Sequence, residues 1–265
     1  MEENVTLTIK NGIARIVIDR AEKNNSLTFP MIEKIVKMCD ALQWENEKDV
    51  RFCVIEGKCD FFCSGLDIDQ FSGKRDFSKE DFFENAMKQA KLLRQIASLP
   101  FPVISKIKGG ALGLGLGLVA VSDCAIAEEN SIFGTPEVKI GIPPAMTSLY
   151  VLRKTTLSNL SLLSLSGEII GAQEALSSGL VNRLFAMESF DEESDKVEGD
   201  LLEAGPSALR KMKNIILKNS PVPTSEMEEF AATQIAEAME SEEFKEGISS
   251  LMEKKTPNWV IRKKK

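Results

Sequence analysis

Glycine alternates with apolar residues over Gly109-Gly-Ala-Leu-Gly-Leu-Gly-Leu-Gly117, and the run continues as Leu-Val-Ala-Val-Ser-Asp123. It follows Pro102-Val-Ile-Ser-Lys-Ile-Lys108, whose apolar and β-branched positions read as a buried strand. The run itself must turn helical near Leu114. Glycines between a strand and a helix let another group come close to the backbone. The first helical turn then presents unpaired N–H groups, and the helix dipole favours negative charge there. Such a turn serves as a phosphate cradle, as an oxyanion hole, or as a helix packed closely on another backbone. A triphosphate-binding loop needs Lys and then Ser or Thr after its last glycine, whereas Leu118 and Val119 follow Gly117. A dinucleotide fingerprint wants Gly-x-Gly-x-x-Gly and an acidic residue further on. Alternating glycines alone are weak evidence for that.

The chain has no histidine. This removes Ser-His-Asp and Cys-His catalysis and the common zinc sites in one step. Tyr150 is the single tyrosine, so acid–base chemistry rests mainly on carboxylates, lysines or backbone dipoles. The five cysteines (Cys39, Cys53, Cys59, Cys63, Cys124) are odd in number and have no metal-ligand spacing. That suits reduced, mostly buried thiols in a cytoplasmic protein, with Cys63 in a candidate site loop. At 265 residues the chain can build one large core, or a core with a small appended domain. A net charge of −7 argues against a nucleic-acid surface, and only Lys254-Lys255 and the solvated tail Lys263-Lys-Lys265 gather positive charge. No apolar run reaches the length of a membrane span. The acidic opening Met1-Glu-Glu-Asn-Val5 enters a strand almost at once and carries no signal-peptide pattern, so a cytoplasmic location is expected.

Val5–Ile9 and Ile13–Ile18 alternate around Asn11-Gly12, which predicts a hairpin. A polar loop, Arg20–Leu27, leads to Thr28 as N-cap of a helix with Pro30 in its first turn. Phe52–Glu56 is a short apolar strand followed by the loop Gly57–Asp69. Ser78 and Asp81 form a capping box for a helix from Lys79 to Ala97, and Pro100 and Pro102 end it. Asp123–Ala127 is the next strand. Later helices span Ala172–Ser178, Ser207–Leu217, Thr224–Met239 and Glu242–Met252. Strand and helix alternate first and helices dominate later, which gives an α/β core with parallel pairing and a helical C-terminal segment. Met227, Ala231, Ile235 and Met239, with Phe230 beside them, form an apolar stripe expected to pack over the site, against a neighbouring subunit, or on its own core.

Several segments together resemble the enoyl-CoA hydratase/isomerase (crotonase) superfamily. Phe61-Phe-Cys-Ser-Gly-Leu-Asp-Ile-Asp-Gln-Phe71 is similar to its first signature, and Gly109–Asp123 to its second. Phe133-Gly-Thr-Pro-Glu-Val-Lys-Ile-Gly-Ile-Pro143 resembles the third, and Gly167–Val181 a later segment. Arg20–Leu27 resembles the family's Arg-Pro…Asn-Ala-Leu loop, with Asn25 on its Asn. The likeness covers nearly the whole chain, in order. It implies a crotonase (ClpP/crotonase-like) spiral of ββα units, with residues 1–200 as the core carrying a thioester site. Residues 201–265 would be a helical region for assembly and active-site cover. It also implies a trimer or a dimer of trimers.

The resemblance assigns roles residue by residue. The N–H groups of Leu66 and Leu114 would hold a thioester oxygen as it becomes an enolate, and Glu137 would be the acid or base. Asn25, Ser26, Ser64, Gly65, Leu66, Asp67, Ile68 and Gly113 would line the thioester site. Apart from the substrate's own carrier, coenzyme A or the phosphopantetheine of an acyl carrier protein, no cofactor or metal is implied. Family hydratases have a second glutamate, and that position falls on Gly117. Asp67 is the local substitute, although the family's Asp there is usually structural. Gly117 and the turn after Glu137 resemble the dehydratases of polyketide β-branching cassettes, and less closely the 3-methylglutaconyl-CoA hydratases. This points to a hydratase or dehydratase of a branched acyl thioester, with Gly117 leaving room for the branch. A Δ3–Δ2 enoyl isomerase using Glu137 as its single base is the alternative, and a non-catalytic scaffold comes behind both.

Overall fold

The computed structural model describes residues 4–45, 49–71, 77–220 and 222–261. Strands β1 (Val5–Lys10) and β2 (Ile13–Ile18) form the expected antiparallel hairpin. Helix α1 (Phe29–Leu42) is capped by the Thr28 hydroxyl, which accepts from the Met31 N–H. Strand β3 (Phe52–Gly57) is followed by α2 (Lys79–Ala97), whose capping box of Ser78 and Asp81 is present. Next come β4 (Val103–Ile107), β5 (Gly110–Leu112), α3 (Leu114–Val121), β6 (Cys124–Glu128) and β7 (Ile132–Gly134). The remaining elements are α4 (Ala145–Val151), α5 (Leu157–Ser166), β8 (Ile169–Gly171), α6 (Ala172–Ser177), β9 (Arg183–Phe185), α7 (Phe190–Glu203), α8 (Pro206–Asn219), α9 (Ser225–Met239) and α10 (Glu242–Met252).

Two sheets result, ordered β1-β2-β3-β4-β6-β9 and β5-β7-β8. Every pairing from β2 to β9 in the larger sheet is parallel. Successive units such as β4-β5-α3 send one strand to each sheet before a helix, which is the crotonase spiral. Alternation along β3 explains why the larger sheet is covered on both faces. Cys53 and Ile55 join the main core, while Phe52 and Val54 meet Ile104, Ile126 and Phe190 beneath α7. The main core also takes in Ala231, Ile235, Met239 and Phe244 of α9 and α10. A buried polar network ties α9 down: the Tyr150 hydroxyl donates to Glu228 over 2.7 Å, and Arg94 donates to the other Glu228 oxygen over 2.8 Å.

Three departures from the sequence reading have physical reasons. Asp123 precedes β6 rather than opening it: its carboxylate accepts from the Val103 N–H and pairs with buried Lys213 at 2.7 Å. Helices α5 and α7 escape periodicity because serines interrupt the leucines of one and half the residues of the other are acidic. The apolar stripe is split. Ala231, Ile235 and Met239 are buried against the chain's own helices, whereas Met227 and Phe230 are exposed. Met1–Glu3 and the tail Lys263–Lys265 lie outside the described residues. Among the described residues no helix is long and apolar enough to cross a membrane.

Candidate active site

The glycine run and the loop after β3 are pressed together. Bridges join Cys63 to Ala111 and Leu66 to Leu27. In the second bridge the hydrogen bonds run from the Leu27 N–H to the Gly65 carbonyl and from the Asp67 N–H to the Leu27 carbonyl. The N–H of Leu66 therefore points to the opposite side. A Cβ built on Gly65 would lie 2.9 Å from the Leu112 carbonyl and 3.3 Å from the Leu114 nitrogen, so a larger residue would push the loops apart. Gly113, with φ of 52° and ψ of −122°, caps α3 in a conformation that side chains rarely adopt. Leu114 is the first helical residue, and its N–H has no partner within the helix. Neither Leu66 nor Leu114 donates a backbone hydrogen bond among the described residues.

Both leucines border a cavity of about 500 Å³. Ser26, Ser64, Gly65, Asp67, Ile68, Gly113 and Glu137 line it with them. Asn25 does not. It is fully buried, accepting from the Arg20 N–H over 2.7 Å and donating to the Lys58 and Phe61 carbonyls, so its amide shapes the loop rather than facing the cavity. Asp67 faces the cavity, but its carboxylate is engaged: it pairs with Arg20 at 2.7 Å and accepts from the Asp69 N–H. Lys23 and Asp69 pair with each other at the rim, also at 2.7 Å. Cys63 is buried, and burial pushes its thiol up to about 12, so it is no nucleophile.

Glu137 stands apart from these carboxylates. It sits on a 3-10 turn, Pro136–Ile140, that Gly141 closes at φ of 78°. Its Oε1 would be 2.7 Å from a Cβ on Gly113, so the carboxyl lies directly against the glycine that caps α3. The residue is half-buried, yet its Oε2 is shut off from solvent and has no hydrogen-bond partner among the described residues. Burial pushes the carboxyl up from an ordinary 4.5 to about 7, offset in part by a backbone hydrogen bond within the residue. A group of that kind takes up and returns a proton near neutrality. Helix α10 sets the position of the turn. A Cβ on Gly247 would lie 2.5 Å from the Ile140 carbonyl, so glycine alone allows this approach.

Gly117 does not open onto the cavity. A Cβ there would meet Leu93 at 3.2 and 3.3 Å and the Thr147 hydroxyl at 3.5 Å, so Leu93 of α2 fills the room expected for an acyl branch. Sequence reasoning also missed the rest of the wall. Gln89, Met146, Thr147 and Leu251 line the cavity from outside the quoted signatures, and Lys139 and Ile142 line it from within the third, where no role was assigned to them. Ile235 and Met239 line it too, and their only signal was the apolar stripe.

The comparisons with known proteins agree with this geometry. Residues 8–262 match the family described as enoyl-CoA hydratase/isomerase. A probable enoyl-CoA hydratase of Bacillus subtilis is 30% identical over 259 residues, covering 96% of this chain and 98% of that protein. Enoyl-CoA delta isomerase 2 of Rattus norvegicus is 26% identical, over 96% of this chain and 64% of its own length. The crystal structure of an enoyl-CoA hydratase from Mycobacterium avium subsp. paratuberculosis superposes with a TM-score of 0.85 at 26% identity, covering 94% and 99% of the two chains. With the signatures, the two-sheet spiral and the cavity between them all in place, the chain belongs to the enoyl-CoA hydratase/isomerase family of enzymes.

Proposed function

We propose that the protein moves a proton on an enoyl thioester of coenzyme A, with Glu137 as its one acid–base group. The N–H groups of Leu66 and Leu114 hold the thioester oxygen while it carries negative charge. Preorganised donors of this kind stabilise a developing oxyanion by roughly 3 kcal/mol each. The observation that carries the reading is the carboxyl of Glu137, with one oxygen buried and unpartnered beside the cavity while Asp67 and Asp69 are held by Arg20 and Lys23. A shift of the double bond from C3–C4 to C2–C3 needs nothing more. Glu137 takes a proton from C2, the electron pair moves into the enolate, and the same proton returns at C4 as the new double bond forms.

Hydration across C2–C3, or its reverse, is the second reading, supported by the hydratase relative from Bacillus subtilis. It shares the C2 proton and the enolate but needs a group to deliver water to C3. The narrower resemblance to β-branching dehydratases rests on Gly117 and the turn after Glu137. Leu93 packed against Gly117 removes the steric part of that argument. The purified protein, given 3-enoyl and 2-enoyl CoA thioesters separately, should conjugate the first faster than it hydrates the second. Hydration that outpaces conjugation would reverse the order of the two readings.

We also propose that the chain self-associates as a trimer or a dimer of trimers. Exposed Leu157, Leu162 and Leu165 on α5 and Ile169 on β8 supply apolar surface for it. Light scattering that gives only a monomer at micromolar concentration would contradict this.

A further inference from the structure

The N–H of Leu114 is one end of a peptide unit whose other end is the Gly113 carbonyl. A trans peptide is planar, so the two groups point in opposite directions and turn together. Gly113 makes this plane the softest part of the site. It has no Cβ to restrict rotation about its Cα–C bond, and it adopts φ of 52° and ψ of −122°. Two contacts hold the plane by its carbonyl. The Gly117 N–H donates to it over 3.1 Å as the first bond of α3, and the Thr147 hydroxyl of α4 donates to it over 3.4 Å. Thr147 is buried and borders the cavity. A helical threonine commonly turns its hydroxyl back onto a carbonyl of its own helix. This one crosses to another element, and the Gly113 carbonyl is its one hydrogen-bond partner among the described residues.

Gly117 makes the crossing possible. A Cβ there would stand 3.5 Å from the Thr147 hydroxyl and 3.2 Å from Leu93, so a longer side chain would come between α3 and the threonine. Given the thioester reading above, on which this step rests, we infer that Thr147 is a positioning residue. Its hydroxyl holds the Gly113–Leu114 peptide so that the Leu114 N–H faces the thioester oxygen. The hold acts in two ways. It restricts rotation of the plane, so the donor is already aimed when the oxygen becomes negative. It also polarises the peptide, because a carbonyl that accepts a hydrogen bond makes the N–H at the other end a stronger donor. Hydrogen bonds in an unliganded site are often long and tighten in the loaded one, and a separation of 3.4 Å leaves room for that here. Thr147 exchanges no proton with the substrate, so it serves the shift of the double bond and the addition of water equally.

Thr147→Val keeps the shape of the side chain and removes the hydroxyl, whereas Thr147→Ser keeps the hydroxyl. In the full chain Thr147→Val should lower kcat about tenfold for every enoyl-CoA thioester that the wild type converts, with KM within about twofold. Thr147→Ser should stay within about threefold of wild type. Infrared difference spectra of bound hexanoyl-CoA, isotopically labelled at its carbonyl carbon, separate positioning from packing. Binding should lower the carbonyl stretching frequency in wild type and Thr147→Ser, and by less in Thr147→Val, because that frequency reads the hydrogen bonds to the oxygen. Thr147→Ala takes the place of the valine variant if the latter does not fold. An unchanged kcat or a wild-type frequency in the variant without the hydroxyl overturns the positioning role and leaves the oxyanion reading standing. So does a loss in Thr147→Ser as large as that in Thr147→Val. A frequency that does not move when the thioester binds to wild type overturns the oxyanion reading, and the role of Thr147 with it.

Discussion

Replacing Glu137 by Gln should destroy activity and stabilise the protein, with a pH dependence that can be worked out in advance. The carboxyl has a folded-state pKa of about 7 against an ordinary 4.5. The folded state therefore holds this proton more tightly than the unfolded chain. Below pH 4.5 both states are protonated and the group costs nothing. As pH rises from 4.5 to 7 the unfolded chain ionises first, and wild-type stability falls. Above 7 the loss is complete, at about 3 kcal/mol for the full difference in pKa.

Glutamine has nearly the same shape and no titration, so its own burial cost is the same at every pH. The stability of Glu137→Gln relative to wild type should thus increase by about 2–3 kcal/mol between pH 5 and pH 8. Urea denaturation of both proteins at the two pH values measures this directly. Turnover of the best enoyl-CoA substrate should meanwhile drop by roughly 10²–10⁴, with the affinity for a saturated thioester nearly unchanged. A pH-independent difference in stability would mean that the carboxyl is not buried as described. Turnover near wild type would remove Glu137 from the chemistry.

Asp67→Ala should lower stability by about 1.5–3 kcal/mol, because half-buried Arg20 keeps its contacts to Ser26 but loses its short pair with the buried carboxylate. An unchanged denaturation midpoint would show that the Arg20–Asp67 pair does not hold the loop. Gly247→Ala must push α10 off the Ile140 carbonyl or move the turn that carries Glu137. It should lower kcat at least tenfold and shift the pH profile while KM stays within about twofold; an unaltered pH profile would detach α10 from the positioning of Glu137. Gly117→Ala should cost about 1–3 kcal/mol because its Cβ presses on Leu93, and combining it with Leu93→Ala should cost less than the sum of the two single substitutions. Additive destabilisation would refute that contact.

The sequence reveals those parts of the fold whose signals are local. Thr28, Ser78, Thr224 and Ser241 all cap helices because a side-chain oxygen meets an N–H three residues on. The Asn11-Gly12 turn lies at positive φ at both residues, as its hairpin requires. Strands β5, β7, β8 and β9 are three residues each, too short for alternation to register, and exist because neighbouring strands pair with them. The site divides in the same way. Leu66, Leu114 and Glu137 sit in contiguous motifs that can be read in one dimension. Asn25 also sits in a motif, but its neighbours are carbonyls more than thirty residues away, so its role inside the loop rather than the cavity is a tertiary fact. Gly117 misleads for the same reason, because its neighbour Leu93 comes from a helix whose approach no local pattern encodes.

On the proposed reading, two kinds of residue divide the work, and they tolerate change differently. The oxygen-binding donors are main-chain groups, so leucine at positions 66 and 114 is incidental to them. What they need is the close approach of Gly65 and the helix start at Gly113. Glu137 needs a dry pocket and a fixed turn, which Gly113 and Gly247 supply by having no side chain. Exchanging Met146, Ile235 or Met239, which also line the cavity, leaves these requirements in place and alters which acyl chain fits. The chemistry and the acyl preference are therefore separable in this fold. Substitutions at these three positions should change KM among acyl chains, while substitutions at Gly113, against Glu137, and at Gly247, against the turn that carries it, should change kcat for every substrate alike.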